Sequence, residues 1–316
     1  SHIGGVVGYI NLGSVKNVVS YVNINNDKYG SQVTHAGGII GSVGNDKTDI
    51  EKCMYYGNIH LNNSSDCIGG VIAYSNGGAR VKNCANLGTV TATQSGAYVG
   101  GILGYLNNTN PTIENCYNYA KISDNDSGSH CGAIIGWARN FNKSNISNNY
   151  YNKDTGNTPF GTDSKLGLSA NEKTISEFKC GEVAFKLNNG VTDGTQAWYQ
   201  NIDNGLTPDD YPVFNGGTVY YADFDNTYSN FERTPDEFDK DDDGNFIIKT
   251  YSDLVKLSQV VRTDYKRYGD KNYILVNNIY ADENSSWVQG IGSVAENKPF
   301  NGTFDGNGYS IGALNI

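Results

Sequence analysis

A block of the form Gly-Gly-aliphatic-aliphatic-Gly recurs through the first half of this 316-residue chain and limits its possible folds more than any other feature. Its five copies are GGVVGYI, GGIIGSV, GGVIAYS, GGILGYL and GAIIGWA, beginning at Gly4, Gly37, Gly69, Gly100 and Gly132. The steps between these starts are 33, 32, 31 and 32 residues. So constant a spacing indicates one structural unit that repeats along the chain.

A second block follows each copy of the first and is also rich in β-branched residues. Its copies are VKNVVSYVNI, IEKCMYYGNI, VKNCANLGTV, IENCYNYAKI and the divergent ISNNYYNKD, beginning at Val15, Ile50, Val81, Ile113 and Ile146. A unit of two or three short strands cannot bury its own apolar face, so the units must stack on their neighbours, which places equivalent strands in parallel. We therefore predict an all-β fold, a right-handed parallel β-helix with short capping helices.

The alternation of side chains along a strand predicts which columns face the core. Directly before each Gly block is a small or apolar residue: Ile3, Ala36, Ile68, Val99 and Cys131. One position earlier are His2, His35, Cys67, Tyr98 and His130. Since successive residues point to opposite faces, the first column is predicted inside and the second outside. By the same logic Cys53, Cys84 and Cys116 form an interior column of reduced thiols rather than disulfides.

Beyond the repeats, near residue 157, the Gly block no longer recurs and the sequence pattern changes. We predict β-helix rungs over 1–156, a cap with a short helix over 157–219, an acidic linker over 220–249, and a capping helix with the first rung or rungs of a second β-helix over 250–316. Thr174 and Glu177 mark the start of the first helix by a capping-box pattern, and the lid that this helix forms is expected to cover the last rung. Open rung edges at both ends predict head-to-tail self-association.

The acidic segment D-K-D-D-D-G contains a candidate calcium site. Asp239, Asp241 and Asp243 alternate before Gly244, as carboxylates do in calcium loops. The twelfth position of such a loop is Thr250 here rather than a glutamate. Calcium binding and a solvated acidic hinge both remain open, and calorimetric titration with calcium distinguishes them.

The predicted outward column is a second candidate site. Its members His35, Cys67, Tyr98 and His130 are expected to lie one strand spacing apart, and imidazole and thiolate are zinc ligands. The alternative is a row of exposed polar residues on a regular face. No other cofactor is expected.

The paired motifs xGGxxGxx and I-x-N-C-x-N-x-G-x-I resemble the GLUG-type repeat of large bacterial surface proteins, including the non-catalytic region of IgA-specific metallopeptidases. The resemblance covers residues 1–156 and returns in FNGTFDGNGYSIGALNI, with a turn from Gly302 to Tyr309. It implies a right-handed parallel β-helix and an extracellular setting, at the cell surface or after secretion. It does not imply one shared activity.

The net charge and the motifs of the chain argue against several classes of partner and activity. The net charge of -10 and the pI near 4.8 argue against nucleic-acid and anionic-membrane partners, which are bound mainly through Lys and Arg. The sequence has no H-E-x-x-H motif and no apolar stretch long enough to span a membrane. We expect a non-catalytic adhesin or stalk that binds glycans or proteins of a host or neighbouring cell. The alternative is a carbohydrate-active β-helix enzyme, a polysaccharide lyase or hydrolase with catalytic acids on a rung face.

Overall fold

A parallel β-solenoid of about 8 turns makes up most of the protein, which confirms the predicted fold class. The chain separates into two compact units, Ser1–Phe231 and Glu232–Ile316. The structure, a computed structural model, describes residues 1–25, 33–44, 48–62, 67–107, 111–125, 130–139, 145–161, 170–203, 207–222, 226–230, 237–281 and 290–314.

The strands of the first unit repeat in five rungs. The first rung has β1 (His2–Gly4), β2 (Val7–Ile10), β3 (Gly13–Ser20) and β4 (Ile24–Asn25). The second has β5 (His35–Gly37), β6 (Ile40–Val43), β7 (Thr48–Tyr55) and β8 (Ile59–Leu61). The third has β9 (Cys67–Gly69), β10 (Ile72–Ser75), β11 (Arg80–Lys82), β12 (Ala85–Asn86) and β13 (Val90–Ala92). The fourth has β14 (Tyr98–Gly100), β15 (Leu103–Leu106), β16 (Thr112–Glu114), β17 (Tyr117–Asn118) and β18 (Ile122–Ser123). The fifth has β19 (Cys131–Gly132), β20 (Ile135–Ala138), β21 (Ile146–Ser147) and β22 (Tyr150–Asn152).

Equivalent strands of successive rungs pair in parallel and in the register that the sequence repeat predicts. The strands of the Gly block form two five-stranded sheets, β1-β5-β9-β14-β19 and β2-β6-β10-β15-β20. The second block builds a larger sheet around β7, and β4, β8, β13 and β18 form a fourth sheet. Gly4 pairs with Gly37 and Gly37 with Gly69, so the repeat in the sequence is the rung in space.

The Gly pairs are required by close backbone approaches. A Cβ on the first glycine, as at Gly69, would lie 1.9 Å from the carbonyl oxygen of Ile72 in the same rung. A Cβ on the second, as at Gly70, would lie 2.4 Å from the carbonyl oxygen of Gly101 in the next rung. In the fifth rung Ala133 replaces this second glycine, and its backbone N–H donates to the Thr158 carbonyl instead of to another Gly block.

The Asn-Cys pair of the second block turns the chain and bonds the turn internally. The residue before each cysteine has a positive φ, 51° at Asn83 and 55° at Asn115, a region that asparagine adopts more readily than most residues. The thiol of Cys84 then lies 3.2 Å from the Lys82 carbonyl oxygen of the same turn, to which it donates, and 3.7 Å from the Ile50 carbonyl oxygen of the preceding rung. Burial raises the pKa of Cys84 well above the usual thiol value, so the thiol stays protonated and inert.

The interior column that sequence analysis predicted is confirmed and is longer than predicted. Cys53, Cys84 and Cys116 are free thiols with no solvent exposure. In the fifth rung Asn149 takes the same place: its Nδ2 donates to the Ile113 carbonyl at 2.8 Å, and its Oδ1 accepts from the Cys116 N–H at 3.0 Å. An amide thus supplies the hydrogen bonds that the thiols supply elsewhere.

Lys52 occupies the turn position that asparagine holds in the neighbouring rungs, with a φ of 52°. Because asparagine tolerates this conformation better than lysine, we expect Lys52→Asn to raise the free energy of unfolding by up to about 1 kcal/mol. Lys52→Ala, which removes the same side chain without easing the backbone, is the control and is expected to give no gain. Urea denaturation measures both, and an equal effect of the two substitutions would contradict the turn assignment.

The cap consists of a strand, two short helices and a hairpin. A 3-10 turn, Lys153–Thr155, leads out of the fifth rung, and β23 (Asn171–Lys173) pairs in parallel with β22. The helices are α1 (Ile175–Lys179) and α2 (Glu182–Leu187), separated by Gly181 at a φ of 87°. The strands β24 (Tyr220–Tyr221) and β25 (Tyr228–Ser229), which lie within the predicted linker, pair antiparallel. Thr174 and Glu177 form the predicted capping box.

The cap helices cover a side of the solenoid rather than its end. Met54, Ala85, Tyr117 and Tyr150 form a column of register partners on the outward face of the third sheet. Phe178, Val183, Leu187 and Trp198 of the cap pack against this column in one buried cluster. The lid predicted for the last rung is therefore a lateral cover, and among the described residues the strand β23 and the segment 158–161 pair with the last rung.

A charged network joins the cap helices to the strand β23 and makes stability depend on pH. Burial disfavours the Glu177 carboxylate, but hydrogen bonds from the Lys173 ammonium and from Thr174 outweigh it and lower its pKa to about 2. A depressed pKa in the folded state adds stability above the unfolded value near 4.5, and this stability is lost as pH falls through about 2.

We therefore expect the free energy of unfolding, measured with urea between pH 7 and pH 2, to fall with acidification less steeply in Glu177→Gln than in the wild type. Glu172→Gln is the matched control, because Glu172 is more exposed and lies 3.9 Å from Lys153. Identical pH profiles for Glu177→Gln and the wild type would contradict the assignment.

In the described part of the second unit, a first strand is followed by two helices and then by four further strands. Its elements are β26 (Phe246–Ile248), α3 (Tyr251–Thr263), α4 (Tyr265–Tyr268), β27 (Asn272–Leu275), β28 (Ile279–Tyr280), β29 (Thr303–Asp305) and β30 (Ile311–Gly312). Thr250 and Asp253 form the capping box of α3. The strands β26, β27 and β29 pair in parallel, as do β28 and β30.

Candidate functional site

Five aromatic rings stack along one face of the solenoid and form what we call the ring ladder: His2, His35, Tyr74, Tyr105 and Trp137. The centroid distances between neighbours are 4.5, 4.4, 5.5 and 5.1 Å, and the interplanar angles are 25° or less. The repeat of about one strand spacing places each ring over the next. The rings belong to successive rungs, so the ladder joins all five.

Hydrogen bonds occupy the polar edge of the ring ladder. The Tyr74 and Tyr105 hydroxyls donate to the Oδ1 atoms of Asn76 and Asn107, at 3.2 and 3.3 Å. Asn107 Nδ2 in turn donates to Asn76 Oδ1 at 2.8 Å. Because the inner ring faces cover one another and the hydroxyls are paired, this surface stiffens the rod and presents few open ring faces to a ligand.

The predicted outward column shares His35 with the ring ladder and otherwise lies beside it. His35, Cys67 and Tyr98 are register partners, as expected. Cys67, however, is only 5% exposed, so the prediction that it faces solvent is wrong. Burial and the neighbouring His2 lower the pKa of His35 to about 4, which keeps its imidazole neutral at pH 7. Among the described residues, no group of three or more His, Cys, Asp or Glu side chains is arranged to hold a metal ion.

The carboxylates of the predicted calcium loop make separate contacts. Asp239 pairs with the Lys249 ammonium. Asp241 Oδ1 accepts from the backbone N–H groups of Asp243 and Asn245, at 3.1 and 2.7 Å, which closes a turn around Gly244. Calcium binding at Asp239, Asp241 and Asp243 stays a prediction.

An open groove lies where the cap stops short of the first rung. We call it the Tyr21 groove, and it encloses about 410 Å³. It is lined by Asn17, Val19 and Tyr21 of the first rung, Lys52, Met54 and Tyr56 of the second, and Ala197, Val213, Phe214 and Asn215 of the cap.

The groove continues the column that the cap covers elsewhere. Val19 is the register partner of Met54, so it extends the outward column of the third sheet into the first rung. Met54 is 2% exposed under the cap, whereas Val19 is 47% exposed. The groove is therefore the uncovered end of a sheet face that the cap covers in the later rungs.

The aromatic walls of the groove are held in place from behind. The Tyr21 and Tyr56 rings stack with centroids 4.9 Å apart and an interplanar angle of 15°, and Tyr21 is 68% exposed. On the opposite wall Phe214 stacks on the buried Trp198 at 4.8 Å, and Trp198 Nε1 donates to the Asn115 carbonyl. Both walls are thus rigid aromatic surfaces with solvent between them.

The polar groups of the groove differ in their hydrogen bonding from the equivalent groups under the cap. Where the cap covers the turn column, Asn148 Nδ2 donates to Asn115 Oδ1 at 2.8 Å. In the part of the chain that the structure describes, the side-chain amides of Asn17 and Asn215 and the Lys52 ammonium have no hydrogen-bond or ion-pair partner in the protein. These three groups are free to bind a ligand.

Sequence analysis missed this groove. Tyr21 and Tyr56 occupy equivalent positions in the first and second copies of the second block. This pair of aromatic residues was the signal in the sequence that could have indicated the near wall of the groove. The cap residues that close the other wall lie about 160 residues further along the chain and carry no repeat pattern.

The described helices include none that is both long and apolar enough to cross a membrane. No protein-family model, curated protein or solved structure matches this chain.

Proposed function

We propose that this chain is a non-catalytic repeat region of a bacterial cell-surface or secreted protein, which acts as a stalk or adhesin and binds glycans or proteins of another cell. The proposal combines the resemblance to GLUG-type repeats with the architecture of the rungs. The proposed function includes no catalytic step and requires no cofactor.

The observation that supports it best is the set of side-chain ladders that join the rungs. The ring ladder runs outside, the Cys and Asn149 column runs inside, and a second interior pair links Asn86 Nδ2 to Asn118 Oδ1 at 2.7 Å. Each ladder connects one rung to the next, so the rod resists bending and separation of its rungs. Such stiffness suits a segment that holds a binding surface away from a cell.

Head-to-tail self-association stays a prediction for the same protein. Exposed large apolar side chains of the first rung are Val6, Tyr9, Leu12, Val19, Tyr21 and Val22. Light scattering over a concentration series tests it, and a constant monomer mass would contradict it.

The function is tested by incubating the purified chain with immobilised polysaccharides, oligosaccharides and intact cells. We expect retention on at least one of these surfaces and no release of reducing ends or of unsaturated uronates, which absorb near 230 nm. Depolymerisation of any polysaccharide would instead support the carbohydrate-active alternative. Absence of binding to every surface would argue against an adhesin.

A further inference from the structure

We propose that the Tyr21 groove is a glycan-binding site that holds a pyranose oligosaccharide. This inference rests on the proposed function, since it names the ligand class and the residues of one binding surface. It is carried by the combination of an exposed aromatic ring, unpaired amides and an unpaired ammonium in one concave site.

The aromatic part of the site fits the apolar face of a sugar ring. Tyr21 is 68% exposed while its ring is braced by Tyr56 at 4.9 Å, so it offers surface to a ligand without having to become ordered on binding. Aromatic rings that are apolar in the middle and polar at one end suit ligands with the same mixed character. The ring ladder lacks this property, because its inner faces are already stacked.

The polar part of the site fits hydroxyl groups. An amide side chain offers both a carbonyl acceptor and two N–H donors, which match a hydroxyl that donates and accepts. Asn17 and Asn215 supply such amides from opposite walls of the groove, and Lys52 adds a cation. A few polar groups placed among apolar walls fix the orientation of a small ligand.

A protein segment fits the same groove less well. Val19 and Met54 provide a short apolar floor, but a bound strand would require a row of free backbone groups, and the groove is lined by side chains on the face of a sheet. The backbone groups of β3 point within that sheet, towards β7 on one side and the sheet edge on the other, and not into the groove. The chemistry therefore favours a glycan over a peptide.

The test uses the full chain and immobilised oligosaccharides of glucose, galactose, N-acetylglucosamine and glucuronic acid, followed by calorimetry with the best binder. We expect Tyr21→Ala to weaken binding about tenfold or more, given the size of aromatic contributions. Tyr9→Ala is the matched control, because Tyr9 is 55% exposed on another face of the same rung. It is expected to leave affinity unchanged.

A second variant guards against a folding defect in the first. Val19→Arg places a large side chain on the groove floor at an exposed strand position and is expected to abolish binding with an unchanged thermal transition. If the wild type binds a glycan and both groove variants bind it equally well, the groove assignment is overturned while the proposed function stands. If the wild type binds cells or proteins but none of these sugars, the glycan assignment is overturned.

Discussion

Gly69→Ala is expected to destabilise the first unit strongly. The added Cβ would lie 1.9 Å from the Ile72 carbonyl oxygen and 3.1 Å from the Gly104 backbone nitrogen. Both neighbours are backbone atoms of paired strands, so neither can rotate away. Overpacking of a buried site typically costs about 1–3 kcal/mol, and we expect a loss at or above the upper end of that range in urea denaturation.

Gly290→Ala is the control for this substitution. A Cβ at Gly290 would have no atom within 4 Å, and the backbone there is not in the left-handed region. We expect its effect on unfolding to stay within about 0.5 kcal/mol. Equal stability of Gly69→Ala and the wild type would mean that the Gly blocks do not pack as described.

Trp198→Ala is expected to release the cap from the side of the solenoid. Trp198 is fully buried, packs edge-on against Tyr117 with centroids 5.1 Å apart and supports Phe214 from below. Loss of a buried tryptophan typically costs about 3–5 kcal/mol. Hydrogen exchange read by mass spectrometry should show faster exchange in α1 and α2 and little change in β10 and β15, which lie on another face.

Val191→Ala provides the comparison, since Val191 is a partly exposed cap residue at 38% exposure. It is expected to leave exchange in the cap helices unchanged. Uniform acceleration across all five rungs in Trp198→Ala would contradict the view that the cap is a lateral cover, because the rungs have their own core.

Much of the solenoid could be predicted because its constraints are local and repeat. The Gly pair meets the same backbone contacts in the first four rungs, and the residue before each cysteine of the interior column adopts the same turn conformation, so sequence spacing and spatial register coincide. Alternation correctly placed Ala36 and Ile68 inside. It failed at Cys67, because a short side chain between the larger His35 and Tyr98 is covered by its neighbours even when it points outward.

The candidate site could not be predicted because it depends on contacts that no repeat encodes. The capping box at Thr174 predicted a helix, but nothing in the sequence indicated that Phe178 and Trp198 would pack beside Tyr117 rather than over the last rung. The groove exists because the cap ends before the first rung. Its far wall, at Phe214 and Asn215, was therefore not predictable from the strands that form the near wall.

Parallel, in-register stacking of the rungs is the central feature of the fold, and disulfide trapping tests it most directly. Lys82 and Glu114 are register partners on β11 and β16, with half-exposed side chains that pair at 2.8 Å. In a Cys180→Ser background, Lys82→Cys with Glu114→Cys should oxidise to an intramolecular disulfide, since adjacent strands bring Cα atoms within the range of about 4.4–6.8 Å that a disulfide requires.

The offset pair Lys82→Cys with Thr112→Cys should remain reduced under the same conditions, because Thr112 is the register partner of Arg80 and lies two residues before Glu114 on its strand. Peptide mapping by mass spectrometry after mild oxidation distinguishes the two. Bridging of the in-register pair alone is the predicted result. Bridging of the offset pair, or of neither, would contradict the solenoid register.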